Sequence, residues 1–315
     1  MMSVDAVVLF FVLGLAAGLA RSELRLPSAI YEFLTVLLLL AIGLKGGVEL
    51  SRQSVGDLAP QILAVIAMGL VLPLIAYPLL RHVGRLKRAD SASIAAHYGS
   101  VSVGTFAVAT AYLASHGIAF EEYMPLFVVL LEMPAILVGI VLARGVAQDT
   151  HWRPLAREVF LGKSIVLLTG GLLIGWAVGV DGIKPIKGLF FDMFSGVLAL
   201  FLLEMGLITA GQVKDFRRSG LFLVAFAIGF PVLAAVIGMG LGWTLQLSLG
   251  GTVILATLAA SASYIAVPAA MRLAVPEANP SLSLAASLGV TFPFNIIFGI
   301  PLYHSMTRLL YSAGV

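Results

Sequence analysis

The chain contains no cysteine, which excludes disulfides, thiolate metal sites and cysteine catalysis while identifying no compartment. Charge is nearly as scarce: Asp, Glu, Lys and Arg make up 11% of the 315 residues, against about 25% in soluble domains. The five histidines, His82, His97, His116, His151 and His304, show no i,i+4 spacing and no HExxH pattern, so a metal enzyme is not expected. Gly99, Gly104 and Thr105 have the outline of a phosphate loop, but its lysine is missing. The net charge of +3 fits cytoplasmic loops better than nucleic acid, which is not expected as a partner.

What remains is apolar. Hydrophobic residues make up 60% of the chain, and its mean hydropathy is +1.05. The runs are far longer than the roughly 10-residue alternating strands of a membrane barrel, so the expected class is an all-α integral membrane protein. Ten spans are expected at residues 4–20, 28–44, 58–80, 89–113, 121–143, 158–180, 187–211, 219–243, 248–273 and 282–310. The first has no basic residue before it and carries Arg21 and Arg25 after it, the reverse of a secretory signal's charge order, so it reads as a retained helix. An even number of spans puts both termini on one side. Most of the 19 Lys and Arg fall on the inner side if both termini lie outside a cell (plasma or inner) membrane.

The chain also resembles itself at an offset of about 160 residues. Gly14 and Gly18 match Gly171 and Gly175, Pro27 matches Pro185, and 39–44 matches 202–207. Ser100-Val101-Ser102 matches Ser261-Ala262-Ser263, and Pro134 and Gly139 match Pro293 and Gly299. Five landmarks in one order predict two five-helix repeats, residues 1–148 and 149–315. Because five is odd, the second repeat is inverted, an architecture of secondary transporters with substrate near the midplane. Core and gate parts would each draw on both repeats. The Gly14/Gly18, Gly171/Gly175/Gly179 and Gly238/Gly242 spacings read as helix-contact patterns.

The spans that carry chemistry are the fourth and ninth, expected to be interrupted and to cross. Residues 97–111 and 260–270 place small and hydroxylated side chains in mid-membrane, where free backbone groups cost several kcal/mol. At a break the second half-helix presents unpartnered N–H groups and the positive end of its dipole, which suits a small anion. The preceding carbonyls and the Ser and Thr oxygens suit Na⁺. The expected substrate and ion region is therefore Gly99, Ser100, Val101, Ser102, Gly104 and Thr105 with Ser261, Ala262, Ser263, Tyr264 and Ala266; candidate Na⁺ ligands are Ser102, Thr105 and Ser263.

Ionisable residues inside spans are Glu32, His97, Glu132, Asp192 and Glu204, each costing about 2.5–3.5 kcal/mol at a helix centre. Glu32, Asp192 and Glu204 read as interfacial or paired. His97, beside the first break, and Glu132, before Pro134, are possible supporting residues, as is Asn295. Neither break contains Asp or Glu, which argues against a proton antiporter. An intramembrane hydrolase lacks its GxSG or GxGD signature, so the chain is not read as an enzyme. A non-transporting sensor of a small anion is a further class.

Several stretches resemble the SbtA family of sodium-dependent bicarbonate transporters over nearly the whole chain. They are Leu26-Pro27-Ser28-Ala29-Ile30-Tyr31-Glu32, residues 39–47, His97-Tyr98-Gly99-Ser100-Val101-Ser102, Glu132-Met133-Pro134, residues 260–268, Pro276-Glu277-Ala278-Asn279-Pro280-Ser281 and Thr291-Phe292-Pro293-Phe294-Asn295. The resemblance implies Na⁺/HCO₃⁻ symport by an inverted-repeat fold, with Na⁺ as coupling ion and no covalent cofactor, in a homotrimer. It also implies a PII-like regulatory protein on the cytoplasmic face. Cyanobacterial members carry a long connection between the fifth and sixth spans, whereas residues 144–157 are all that stand here. That departure weighs against the PII-like partner and a photosynthetic host. A sodium-coupled organic-anion symporter of the bile-acid type is the nearest alternative.

Overall fold

The computed structural model describes residues 6–53, 55–145, 157, 160–218 and 220–313, and among these it is built of helices and their connections, with no strand. Among the described residues, seven helices are long and apolar enough to cross a membrane. They are α2 (Ser28–Leu50), α3 (Gly56–Val83), the pair α6 (Met124–Glu132) and α7 (Pro134–Arg144), α8 (Lys163–Gly182), α9 (Phe194–Arg218), α10 (Gly220–Thr244) and α13 (Pro280–Ala313). The other three expected spans coincide with shorter helices. α1 covers Ala6–Leu19; the fourth span is α4 (Arg88–Gly99) and α5 (Val103–Ser115); the ninth is α11 (Leu249–Ala260) and α12 (Ala266–Ala274). The expected boundary at 148/149 and most of the 144–157 connection lie outside the described residues.

Local chemistry sets the helix ends. Ser248 caps α11 by accepting from Gly251 N at 3.0 Å, and Asn279 caps α13 by accepting from Ser281 N at 3.0 Å. Asn279 N in turn donates to Asp90 Oδ1 on α4 at 2.8 Å. Pro134, which has no N–H to continue the ladder, separates α6 from α7 at Met133.

Glycine decides how the helices pack, because small residues let backbones approach where lipid offers no hydrophobic drive. A Cβ on Gly14 of α1 would strike the Leu203 carbonyl of α9, and one on Gly18 the Ala210 side chain. On α8, a Cβ at Gly171 would meet the Leu40 carbonyl of α2, and one at Gly175 the Leu44 carbonyl. In both pairs the residue numbers rise together, so α1 runs parallel to α9 and α2 parallel to α8. Gly238 and Gly242 of α10 lie as closely against Ala256 and Thr252 of α11, with the numbers running oppositely, so that pair is antiparallel. Gly179 departs from the expected contact pattern: its φ of 61° breaks α8 locally, a backbone region that glycine reaches without penalty. Large apolar side chains such as Leu63, Leu74, Leu173 and Leu221 face outward, as a bilayer requires.

Candidate site at two broken helices

The two interruptions meet. α4 ends at Gly99, where a Cβ would stand 2.5 Å from Pro73 Cδ and 2.8 Å from Ala135 Cβ. Only a residue without a side chain lets the chain turn there. Ser100 and Ser102 are extended, as is Ser261 after α11. Across the gap Ser102 N donates to Ser261 Oγ at 3.0 Å, and Ser263 N donates to the His97 carbonyl at 2.9 Å. Each strand thus satisfies backbone groups of the other, which removes part of the penalty for an unwound chain in a membrane.

Around this crossing the serine hydroxyls have different partners, while the buried Tyr264 hydroxyl has none. Ser102 caps α5, accepting from Thr105 N at 3.0 Å and from Thr105 Oγ1 at 2.9 Å. Ser261 Oγ donates to the Leu258 carbonyl at 2.8 Å. Ser100 Oγ donates to the Glu132 carbonyl at 3.2 Å, tying the first break to the end of α6. Ser263 Oγ accepts only a long 3.5 Å bond from Val267 N. On the second break the Ala260 carbonyl accepts from Asn295 Nδ2 at 2.9 Å, and Asn295 Oδ1 accepts from Tyr303 Oη at 2.7 Å.

Val101, Ser102, Val103, Glu132, Ser263, Tyr264 and Ile265 line a narrow gap with no room for a water molecule. The Glu132 side chain is buried, and its Oε2 has no hydrogen-bond partner there. Gly104 lies against the Tyr264 hydroxyl, and Ala262 is buried between the two serines of its break. The structure does not bring every expected residue to this gap. The His97 ring turns away, its Nδ1 2.7 Å from the Ser93 carbonyl, and lines a separate cavity with Ser93, Arg272 and Ser283. Ala266 opens α12 and lines another pocket with Lys163 and Ser164. Asn295 acts on the break through the Ala260 carbonyl.

Sequence reasoning missed Tyr98, Thr291 and Tyr303. Tyr98 Oη and Thr291 Oγ1 are 2.7 Å apart, and Thr291 donates to the Ala227 carbonyl at 2.6 Å, joining α4, α13 and α10 behind the first break. The available signal was a hydroxyl, Thr291, close to the Pro293 already matched to Pro134. Among the other ionisable residues, Glu32 pairs with Lys163 at 3.6 Å and Asp192 with Lys187 at 3.2 Å, all well exposed, as expected for interfacial positions. Glu204 keeps a buried carboxylate oxygen without a partner.

A larger, open cavity lies between α2, α5 and α9, with Lys45 and Glu122 among its polar groups and Phe106, Phe190 and Phe194 among its apolar ones. Phe106 is the next residue after Thr105, so the cavity reaches the first turn of α5.

A multi-pass helical membrane protein in which two broken helices face each other through hydroxyls and loosened backbone has the fabric of a solute transporter. The comparison with known families is specific. Residues 6–308 match the Na⁺-dependent bicarbonate transporter superfamily, and the chain belongs to it. No curated protein matches the chain.

Proposed function

We propose that this protein is a sodium-coupled bicarbonate symporter that works by alternating access, with both ions held where the two broken helices cross. The observation that carries this reading is the reciprocal pairing of the breaks, Ser102 N to Ser261 Oγ and Ser263 N to the His97 carbonyl. Bicarbonate is assigned to Gly99, Ser100, Val101, Ser102, Gly104 and Thr105 together with Ser261, Ala262, Ser263 and Tyr264, where two half-helix N-termini converge. Na⁺ is assigned to this same region, with Ser102, Thr105 and Ser263 as its candidate oxygen ligands.

Ten spans in two inverted repeats, 1–148 and 149–315, are the architecture assigned to this function. The packing supports it. Gly14 meets Leu203 as Gly171 meets Leu40, and Gly18 lies against Leu207 as Gly175 lies against Leu44, the glycines corresponding at an offset of 157 and the leucines at 163. If α1 and α2 cross the bilayer in opposite directions, α8, parallel to α2, runs opposite to α1. That is the inversion. The α1, α2, α8 and α9 helices form the gate and the bundle bearing the breaks forms the moving core. Both termini are assigned to the outside, which places the open cavity at Lys45 on the entry side, where a cation draws an anion. A homotrimer and a PII-like partner rest on the family resemblance alone, and the short 144–157 connection disfavours the second.

Labelled bicarbonate uptake into proteoliposomes tests the coupling. An inward Na⁺ gradient is expected to raise the initial rate; equal uptake with and without it ends the proposal. The phenylalanine-lined cavity favours one second reading, a symporter for larger organic anions. Inhibition of bicarbonate uptake by bulky carboxylates that are themselves taken up with Na⁺ would establish it, and its absence removes it.

A further inference from the structure

We infer that Glu132 is the charged ligand of the sodium site and that Ser263, rather than Ser102, is the hydroxyl that shares the ion with it. This deepens the symport reading and rests on it. Neither break holds an acidic residue, yet the fold delivers one to them. Ser100 Oγ holds the Glu132 carbonyl at 3.2 Å, where Pro134 ends the α6 ladder, and the Glu132 side chain then lines the gap between the breaks. Its Oε2 is buried without a hydrogen-bond partner, and no Lys or Arg pairs with it among the described residues. A carboxylate taken from water without a cation or donors is strongly disfavoured, so Glu132 carries either a proton or a nearby cation, and the free serine oxygen lining the same gap favours the cation.

The two serine hydroxyls lining the gap are not equivalent. Both lone pairs of Ser102 Oγ are engaged by Thr105 N and Thr105 Oγ1, which leaves Ser102 its proton and makes it a donor. Ser263 Oγ accepts only the 3.5 Å contact from Val267 N, so its oxygen is free for a cation. A carboxylate and a free hydroxyl oxygen form the donor set of a hard cation. The gap does not admit a water; a dehydrated Na⁺ is smaller than a water, whereas K⁺ would have to widen it. Ser102, as donor, is left to the anion. The carboxylate, the cation and the bicarbonate then form an alternating row of charges, so the cation screens the anion from Glu132.

The test uses the purified full-length protein without bicarbonate, following thermal unfolding while NaCl replaces KCl at constant ionic strength. Wild type is expected to gain stability saturably with Na⁺ and not with K⁺. Glu132→Gln is expected to unfold as wild type does in KCl and to lose the Na⁺ response. Ser263→Ala is expected to raise the half-saturating Na⁺ concentration about tenfold or more, and Ser102→Ala to leave it within a factor of about two. An unchanged Na⁺ response in Glu132→Gln overturns the inference. If that variant does not fold, Glu132→Asp, which withdraws the carboxylate by one methylene, must raise the half-saturating concentration; an unchanged value overturns it equally. A wild type that does not respond to Na⁺ sinks this inference. A wild type that responds but takes up bicarbonate independently of Na⁺ upholds the site and sinks the coupling.

Discussion

The two breaks are built from the same residues and finished differently. At the first, Ser102 caps α5 with two hydrogen bonds from Thr105. At the second, Ile265 begins α12 without a side-chain cap, and Ser263 makes a single long contact. Behind the first break stands an unpartnered carboxylate, Glu132; behind the second stands a neutral amide, Asn295, fully occupied between the Ala260 carbonyl and the Tyr303 hydroxyl. Two similar breaks thus carry asymmetric chemistry, as the proposed site for two ions of opposite sign requires. The half-helix dipoles, about half a charge each, are shared by both breaks, so side chains have to supply the distinction.

That comparison can be broken most severely through the scaffold. Gly14→Leu and Gly171→Leu, at matching places in the two parallel pairs, drive a side chain into a neighbouring backbone. Each should cost more than the about 1–3 kcal/mol of ordinary overpacking, and both should collapse the yield of monodisperse protein to a similar degree. Collapse in one alone would deny the matched packing. Asn295→Ala comes next, because it strands the Ala260 carbonyl and the Tyr303 hydroxyl at about 1–3 kcal/mol for a buried unsatisfied group. A fall in Tm of several degrees with the Na⁺ response intact is expected, whereas loss of that response would give the second break a cation role.

Ser102→Ala removes the cap of α5 and should cost about 1 kcal/mol. It is also expected to depress bicarbonate uptake well beyond that loss in folded protein, and wild-type uptake would return Ser102 to a structural role. The smallest effect is expected at Glu32→Gln, outside both breaks. Its pair with Lys163 is exposed on both sides, so Tm should change by no more than an exposed ion pair worth at most about 1 kcal/mol allows.

Much of this was legible in the chain. The small-residue and serine clusters at 99–102 and 260–263 fall where α4 and α11 end, because small residues are what a close crossing demands and hydroxyls are what loosened backbone needs. The glycines at 14, 18, 171 and 175 marked helix contacts for the same reason. What escaped are the partners, which depend on the third dimension. Glu132 reads as a supporting residue from its place before Pro134, but it belongs to a different helix from either break, and nothing local shows that Ser100 will tether it. His97 adjoins Gly99 in sequence, yet the helical turn of α4 directs its ring to Ser93. Gly179 has the same spacing as its packing neighbours, and its φ of 61° becomes visible only once α8 is built. The contrast between Ser102 and Ser263 was equally hidden, since both read as hydroxyls in small-residue stretches.

Coupling is reciprocal: if Na⁺ draws bicarbonate inward, bicarbonate must draw Na⁺. The most direct measurement therefore follows radiolabelled Na⁺ entry into proteoliposomes with equal Na⁺ inside and outside and bicarbonate added only outside. Na⁺ accumulation above the equal level, abolished in Glu132→Gln, is the predicted result; bicarbonate entry with no net movement of Na⁺ would contradict the account.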